Sequence, residues 1–359
     1  MLCFIILCAF VGFSSYAKEP DPMEYIDKLG EALPEEVEKH INTERVENIA
    51  DSGKIISLSG ALFSDAIKAL SGTFLKITLV ILISSVAQII SSAFHVKMPD
   101  ICTWVASVCV SVAVYSVLEG VFSSVEAYLE NVNKFMTAMG GVGSALYLLG
   151  GNIRTSVASV GATAAITLII EKICIKYLVP IMRISFASSL AFSISRSENM
   201  KKISDFMRKC FLTLLIFMMT VVTVMFAFQT AITASADSVA VRSLRYVAIN
   251  SIPIVGGAVG ESLRTLTAGL KLSKSVCGTY GVVAVIIMSL APLINLAATK
   301  FAISLSESVS SLFAEGESLE VLSESRRIID SMMAVVALFG IVFIFMISVF
   351  INTGIAISG

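Results

Sequence analysis

The chain has two histidines, one tryptophan and seven prolines in 359 residues, and only 15% of its residues are charged. His40 and His95 lie in different regions, which excludes a paired-histidine metalloprotease site. Ser52-Gly53-Lys54 has the end of a phosphate-binding loop, but Asn48 stands where the first glycine is required. With no recognisable nucleotide site, the energy for any transport must come from a partner or a gradient. The seven cysteines include no CxxC, and five remain once Cys3 and Cys8 at the extreme N-terminus are set aside. An odd number without that spacing indicates neither a zinc site nor a disulfide framework, so they read as small apolar residues. No cofactor or metal is implied, and catalytic signals are nearly absent. The net charge of −1 gives no sign of nucleic-acid binding. A typical soluble domain carries roughly 25% charged residues, so the deficit also excludes a soluble enzyme.

Apolar length is what the chain has in quantity. Hydrophobic residues make up 56%, and several charge-free runs reach the ~20 residues that cross a bilayer as a helix. The expected fold is all-α, a polytopic helical bundle in the lipid bilayer. Leu2–Phe13 has the length of a signal-peptide core, and Ser15-Tyr16-Ala17 offers small residues at the two positions a signal peptidase reads. Residues 1–17 are therefore expected to be a signal peptide, with an uncleaved anchor as the alternative. Residues 18–58 form an acidic extracytoplasmic arm. Between Lys18 and Lys54 it holds eleven acidic and five basic residues. Residues 59–359 form the multi-spanning domain.

Nine runs in that domain are candidate crossings: Ile77–Phe94, Ile101–Leu118, Phe135–Ile153, Thr155–Ile170, Tyr177–Ser195, Cys210–Ala236, Tyr246–Gly260, Ser275–Thr299 and Ser331–Gly359. Some are short or rich in glycine, which gives seven to nine crossings. Between Val125 and Met136 an amphipathic helix is expected, with Glu126, Glu130 and Lys134 on its polar side. Arg196, Lys201, Lys202, Arg208 and Lys209 form the densest basic loop, which the positive-inside bias makes cytoplasmic. If Tyr246–Gly260 crosses, the acidic stretch Glu307–Asp330 lies outside; if it is a re-entrant hairpin, that assignment inverts. Charge bias favours crossing.

A weak internal repeat runs through the domain. Gly140-Gly141, Pro180, Arg208-Lys209 and the span from Cys210 recur in order as Gly256-Gly257, Pro292, Arg326-Arg327 and the span from Ser331. Chance likeness between apolar segments is the alternative; a true repeat suits transport-type folds. The sharpest local feature is Asn250-Ser251-Ile252-Pro253-Ile254-Val255-Gly256-Gly257-Ala258-Val259-Gly260. Pro253 removes a backbone donor, Gly256 and Gly257 permit bends, and Gly256 with Gly260 forms a GxxxG face. This segment reads either as a helix break lining a path or as close packing through small residues. Gly140, Gly141, Gly143, Gly150 and Gly151 pose the same choice, with packing favoured. Arg183, inside an apolar run, is the candidate ionisable residue for a pathway. Glu119, near a span end, is expected to snorkel to the interface.

The signal-like N-terminus, the acidic arm, Ser197-Glu198 opening the basic loop, and Ile252-Pro253-Ile254-Val255-Gly256 after a long span together resemble the stage III sporulation protein AE family of endospore-forming Firmicutes. The Ile252–Gly256 stretch is the most specific part of the likeness and resembles the family's Ile-Pro-Val-Val-Gly. The resemblance implies a permease-like subunit of the channel or secretion-like complex joining mother cell and forespore. It implies residence in the mother-cell membrane facing the engulfed forespore. The implied partners are the other stage III A proteins, including a secretion-type ATPase, and the forespore protein stage II Q. A stand-alone transporter or ion channel and a non-conducting scaffold are the alternatives from the residues alone.

Overall fold

The computed structural model describes residues 22–34, 37, 71–83, 85–86, 99–150, 153–195, 197–235, 256–312 and 317–352. All regular structure among them is helical. The short helices α1 (Pro22–Gly30) and α2 (Ser71–Ile83) come first. The long elements are α3 (Pro99–Leu149), α4 (Ile153–Ile169), a π-helical segment (Ile170–Leu178), α5 (Val179–Ser195), α6 (Glu198–Ser235), α7 (Gly256–Ser310) and α8 (Glu317–Asn352). Residues 1–17 and most of the acidic arm lie outside the described residues.

The segmentation differs from expectation in two places. Ile101–Leu118, the amphipathic stretch and Phe135–Leu149 are one helix, α3, of 51 residues. No proline falls between them, and the charges there are spaced to sit on helix faces, so nothing stops propagation. Thr155–Ile170 and Tyr177–Ser195 are likewise one column, because α4, the π segment and α5 follow without a break. The π register ends at Val179, whose N–H donates to the Cys174 carbonyl. The next residue is Pro180, whose ring would clash with the carbonyl four residues back in an α-helix. Widening the preceding turns relieves that clash.

Among the described residues, four helices are long and apolar enough to cross a membrane by length and composition: Ser107–Leu149, Glu198–Met225, Ala268–Ser310 and Leu319–Ile351. Buried positions along them recur every seven residues. In α3 these are Val114, Val121, Tyr128, Phe135 and Val142, interleaved with Leu118, Val125, Val132, Met139 and Leu146. In α8 they are Leu322, Ile329, Val336, Phe343 and Phe350, interleaved with Ser325, Met332, Phe339 and Met346. This is the spacing of helices packed side by side, knob into hole.

Contacts fix the directions. Gly140 against Thr163 and Ser144 against Ser156 make α3 and α4 antiparallel. Ser189 with Ser204, and Cys174 with Met218, do the same for the α5 column and α6. Gly340 against Ser289 and Gly278 against Ile351 pair α7 with α8. The start of α6, the start of α8 and the end of α7 thus share one end, here the basic end. The end of α3, the start of α4 and the end of α8 share the other. Near that second end α1 packs on α7 and α3. Its Ile26 and Leu29 are fully buried, and its Tyr25 is within electrostatic reach of Cys277. Burial pushes the Tyr25 phenol above its usual range, with Glu24 adding to the effect.

Close approach decides several glycines. A Cβ on Gly140 would stand 2.7 Å from Thr163 Cγ2, and one on Gly143 3.1 Å from Phe350 Cε2. A Cβ on Gly278 would overlap the Ile351 side chain, whereas Gly161 faces open space. Gly278→Val should therefore lower the thermal midpoint in detergent, at a cost of about 1–3 kcal/mol for overpacking. Gly161→Ala should leave the midpoint unchanged or raise it. Thermal unfolding of the two variants side by side checks both.

Candidate functional site

Three polar features interrupt the apolar packing. The first surrounds Arg183 on α5. Its guanidinium reaches Glu119 Oε1 at 3.1 Å and Glu126 Oε2 at 3.0 Å, and it lies 5.5 Å from the Phe122 ring centroid. Glu119, Phe122 and Glu126 are spaced three and seven along α3, so one helix face presents carboxylate, ring and carboxylate in turn. Arg183 is the right residue for this, because a planar fork can serve two carboxylates and stack on a ring together. Glu119 is thus tied to α5 rather than snorkelling as expected. The arrangement holds α3 to α5; the two carboxylates outnumber the cation, leaving the cluster one negative charge.

The second feature joins α6 to α8 at the basic end. Lys201 Nζ is 2.9 Å from Glu320 Oε1. Arg208 bridges Asp205 at 2.9 Å and Glu324 at 3.3 Å, and Arg327 meets Glu324 at 2.6 Å. Behind these pairs is a polar cavity of about 380 Å³. Its inner wall carries the buried hydroxyls of Ser189, Ser193 and Ser204. Ser189 Oγ lies 2.6 Å from Ser204 Oγ, and Ser204 Oγ donates to the Ser185 carbonyl at 3.0 Å. Nearby, Arg326 on α8 pairs with Glu307 at the end of α7 at 3.0 Å and donates to Ser304 Oγ.

These pairs overturn one expectation. With Tyr246–Gly260 crossing, the acidic stretch would sit on the opposite side from the basic loop. Glu320 and Glu324 instead sit among the basic-loop side chains, at the same end. The acidic residues balance the basic ones locally, so their sign carries no orientation signal.

The third feature is at the other end. Lys274 is 4% exposed, with its Nζ 5.2 Å from the Tyr147 ring centroid and 5.5 Å from that of Phe350. Tyr147 in turn donates to the Phe350 carbonyl at 3.2 Å. Sequence reasoning passed over Lys274 because it stands one residue before the charge-free run from Ser275. The aromatic residues on two other helices give no sequence-local signal.

Of the residues singled out from sequence, Arg183 is placed with partners. Asn250 and Pro253 lie outside the described residues. Gly256, Gly257 and Gly260 are in the opening turns of α7, so any break ahead of that helix ends by Gly256. Arg183 and Gly260 are on different elements, α5 and α7. Among the described residues no group of three His, Cys, Asp or Glu side chains could hold a metal.

A family model described as stage III sporulation protein AE matches residues 36–354. No curated protein and no solved structure matches the chain.

Removing Arg183 leaves two carboxylates on one face of α3 without their cation. Because all three groups are about one-third exposed, the loss is discounted to about 1–2 kcal/mol. Arg183→Gln should lower the detergent thermal midpoint. Adding Glu119→Gln and Glu126→Gln to it should restore most of the loss. A triple variant no more stable than Arg183→Gln would contradict this assignment.

Proposed function

The chain belongs to the stage III sporulation protein AE family, and from that membership we propose that it is a permease-like membrane subunit of the mother cell–forespore channel complex. The match across residues 36–354 carries this reading. The chain is a sporulation membrane protein; its conducting role and its place in the mother-cell membrane are what we add. Its partners in this reading are the other stage III A proteins, including a secretion-type ATPase, and stage II Q from the forespore side. The dependence on a partner ATPase fits a sequence without a recognisable phosphate-binding loop.

The physical support is in the bundle. Large apolar side chains face outward on α6 and α8, among them Ile216, Phe217, Ile341 and Phe345, as lipid contact requires. Polar groups collect inside, at the Arg183 cluster and the basic-end cavity. The α4–α6 hairpin and the α7–α8 hairpin both rise to the basic end and return. Each carries a proline in the rising column, Pro180 or Pro292, and an arginine pair or Arg-Lys pair in the returning one. Two like hairpins in the same orientation suit a parallel repeat about an axis along the membrane normal.

The topology we propose has the basic end in the cytoplasm and the arm outside. The columns α3, α4–α5, α6, α7 and α8 cross in alternation, which puts the C-terminus outside. These are five columns where seven to nine crossings were counted from separate runs; the Ile77–Phe94 run begins at the basic end, where Thr78 hydrogen-bonds Ser306.

Two experiments test the proposal. Single cysteines at Glu24, Ser197 and Ser318 in intact cells should be labelled by an impermeant thiol reagent at 24 only. Labelling at 318 with protection at 197 would break the shared basic end. Deleting the gene should leave vegetative growth normal and stop development after engulfment. A growth defect with normal spores would favour a stand-alone transporter.

A further inference from the structure

Helix α3 has a second seam. Opposite its apolar repeat, Ser123, Ala127, Glu130, Lys134, Thr137 and Gly141 are all exposed. They follow the same seven-residue spacing, as 123/130/137 and 127/134/141. No side chain among them is a large apolar one. The outward faces of α6 and α8 differ sharply, with Ile216, Phe217, Ile341 and Phe345 each more than half exposed.

Depth makes this face a problem for lipid. Tyr128 OH bonds Ser289 Oγ at 3.0 Å and the Val336 carbonyl at 3.2 Å. Both partners lie within charge-free runs, 275–299 and 331–359. Glu130 and Lys134 lie about 3 and 9 Å further along α3, away from the basic end. At that depth a lysine stem cannot return its ammonium to the interface, and lipid offers no counter-charge. Gly141 adds a separate point: a Cβ there would meet nothing within 4 Å, so no packing among the described residues accounts for it.

We propose that this face of α3 packs against the same face of a second copy of the chain in the same membrane. Two copies inserted alike run in the same direction. Opposite charges one turn apart are then self-complementary: Glu130 of each copy faces Lys134 of the other, in two reciprocal pairs about a two-fold axis. The small residues do not carry the assignment, but they let the backbones approach closely enough for the pairs to form. The seven-residue spacing keeps the seam in register along the helix.

Oxidative crosslinking of the full chain in membranes tests this, in a background with its seven cysteines replaced by serine. Ser123→Cys and Thr137→Cys should each give a band at twice the chain mass of 38.3 kDa. Ile216→Cys and Phe345→Cys should give several-fold less. Adding Glu130→Lys should cut the Thr137→Cys yield roughly tenfold or more, because like charges then meet across the seam. Glu130→Lys with Lys134→Glu should restore it. An absent double-mass band at both seam positions overturns the proposal. So does an adduct at another protein's mass, or equal yields at Ile216→Cys. If a charge variant fails to reach the membrane, the crosslinks with native charges decide the matter alone. Sporulation is not the readout, so failure here is separate from failure of the channel reading.

Discussion

In a bilayer the hydrophobic effect does not distinguish a leucine against lipid from a leucine against another helix. These columns must therefore be held by shape and by the few polar contacts between them. Shape comes from the seven-residue recurrence of buried positions, which keeps one stripe of α3 against one stripe of α8 for the length of the bundle. Glycine sets how close they come, at Gly140 against Thr163 and at Gly278 against Ile351. Interhelical hydrogen bonds such as Tyr128 to Ser289 and Val336 are worth only about 0.6 kcal/mol each on average in membranes. They matter more for register than for total stability, because a slide by one residue would leave the Tyr128 hydroxyl buried without either partner.

The polar clusters sort by the same logic. At the basic end cations and carboxylates alternate across α6 and α8, and neither helix could present its charges at that spacing without the other. Such partly exposed pairs contribute little individually. Their weight is in specificity: they select which helix ends meet, and they leave a cavity lined by serine hydroxyls behind them. Arg183 does the equivalent work between α3 and α5, where Glu119 and Glu126 would be like charges without a counter-ion in its absence. A membrane protein with few charges thus commits eleven of those in this domain to pairs between helices.

Much of this was legible in the sequence, and the gaps have physical causes. The all-helical class followed from charge-free runs, and Ile252-Pro253-Ile254-Val255-Gly256 pointed to the family that the match across 36–354 establishes. Arg183 stood out because a guanidinium in an apolar run needs partners. What failed was segmentation. Hydropathy reads charges as ends of spans, but Glu119, Glu126 and Glu130 sit within one continuous α3, because helix propagation depends on backbone hydrogen bonds and not on side-chain polarity. Lys172 and Lys176 similarly fall inside the π segment rather than in a loop. The side of the acidic stretch was misread for a related reason: Glu320 and Glu324 answer Lys201 and Arg208 over a sequence distance that no window-based rule samples. Lys274 escaped notice because its aromatic partners come from α3 and α8.

Glu119, Glu126 and Glu130 of α3 show how one helix serves two surfaces. Glu119 and Glu126 are seven residues apart and point at α5, where one arginine satisfies both. Glu130 is four residues beyond Glu126, and that step carries it about 40° further round an α-helix. The rotation is enough to move it from the α5 contact to the exposed face that Lys134 shares. Among the described residues nothing calls for opposite charges on that face. A helix needing only to pack inward would present leucine or valine there, as α6 and α8 do. The polar seam therefore answers a constraint from outside the chain, and in a membrane of like-oriented copies its own mirror in charge is the nearest surface that meets it.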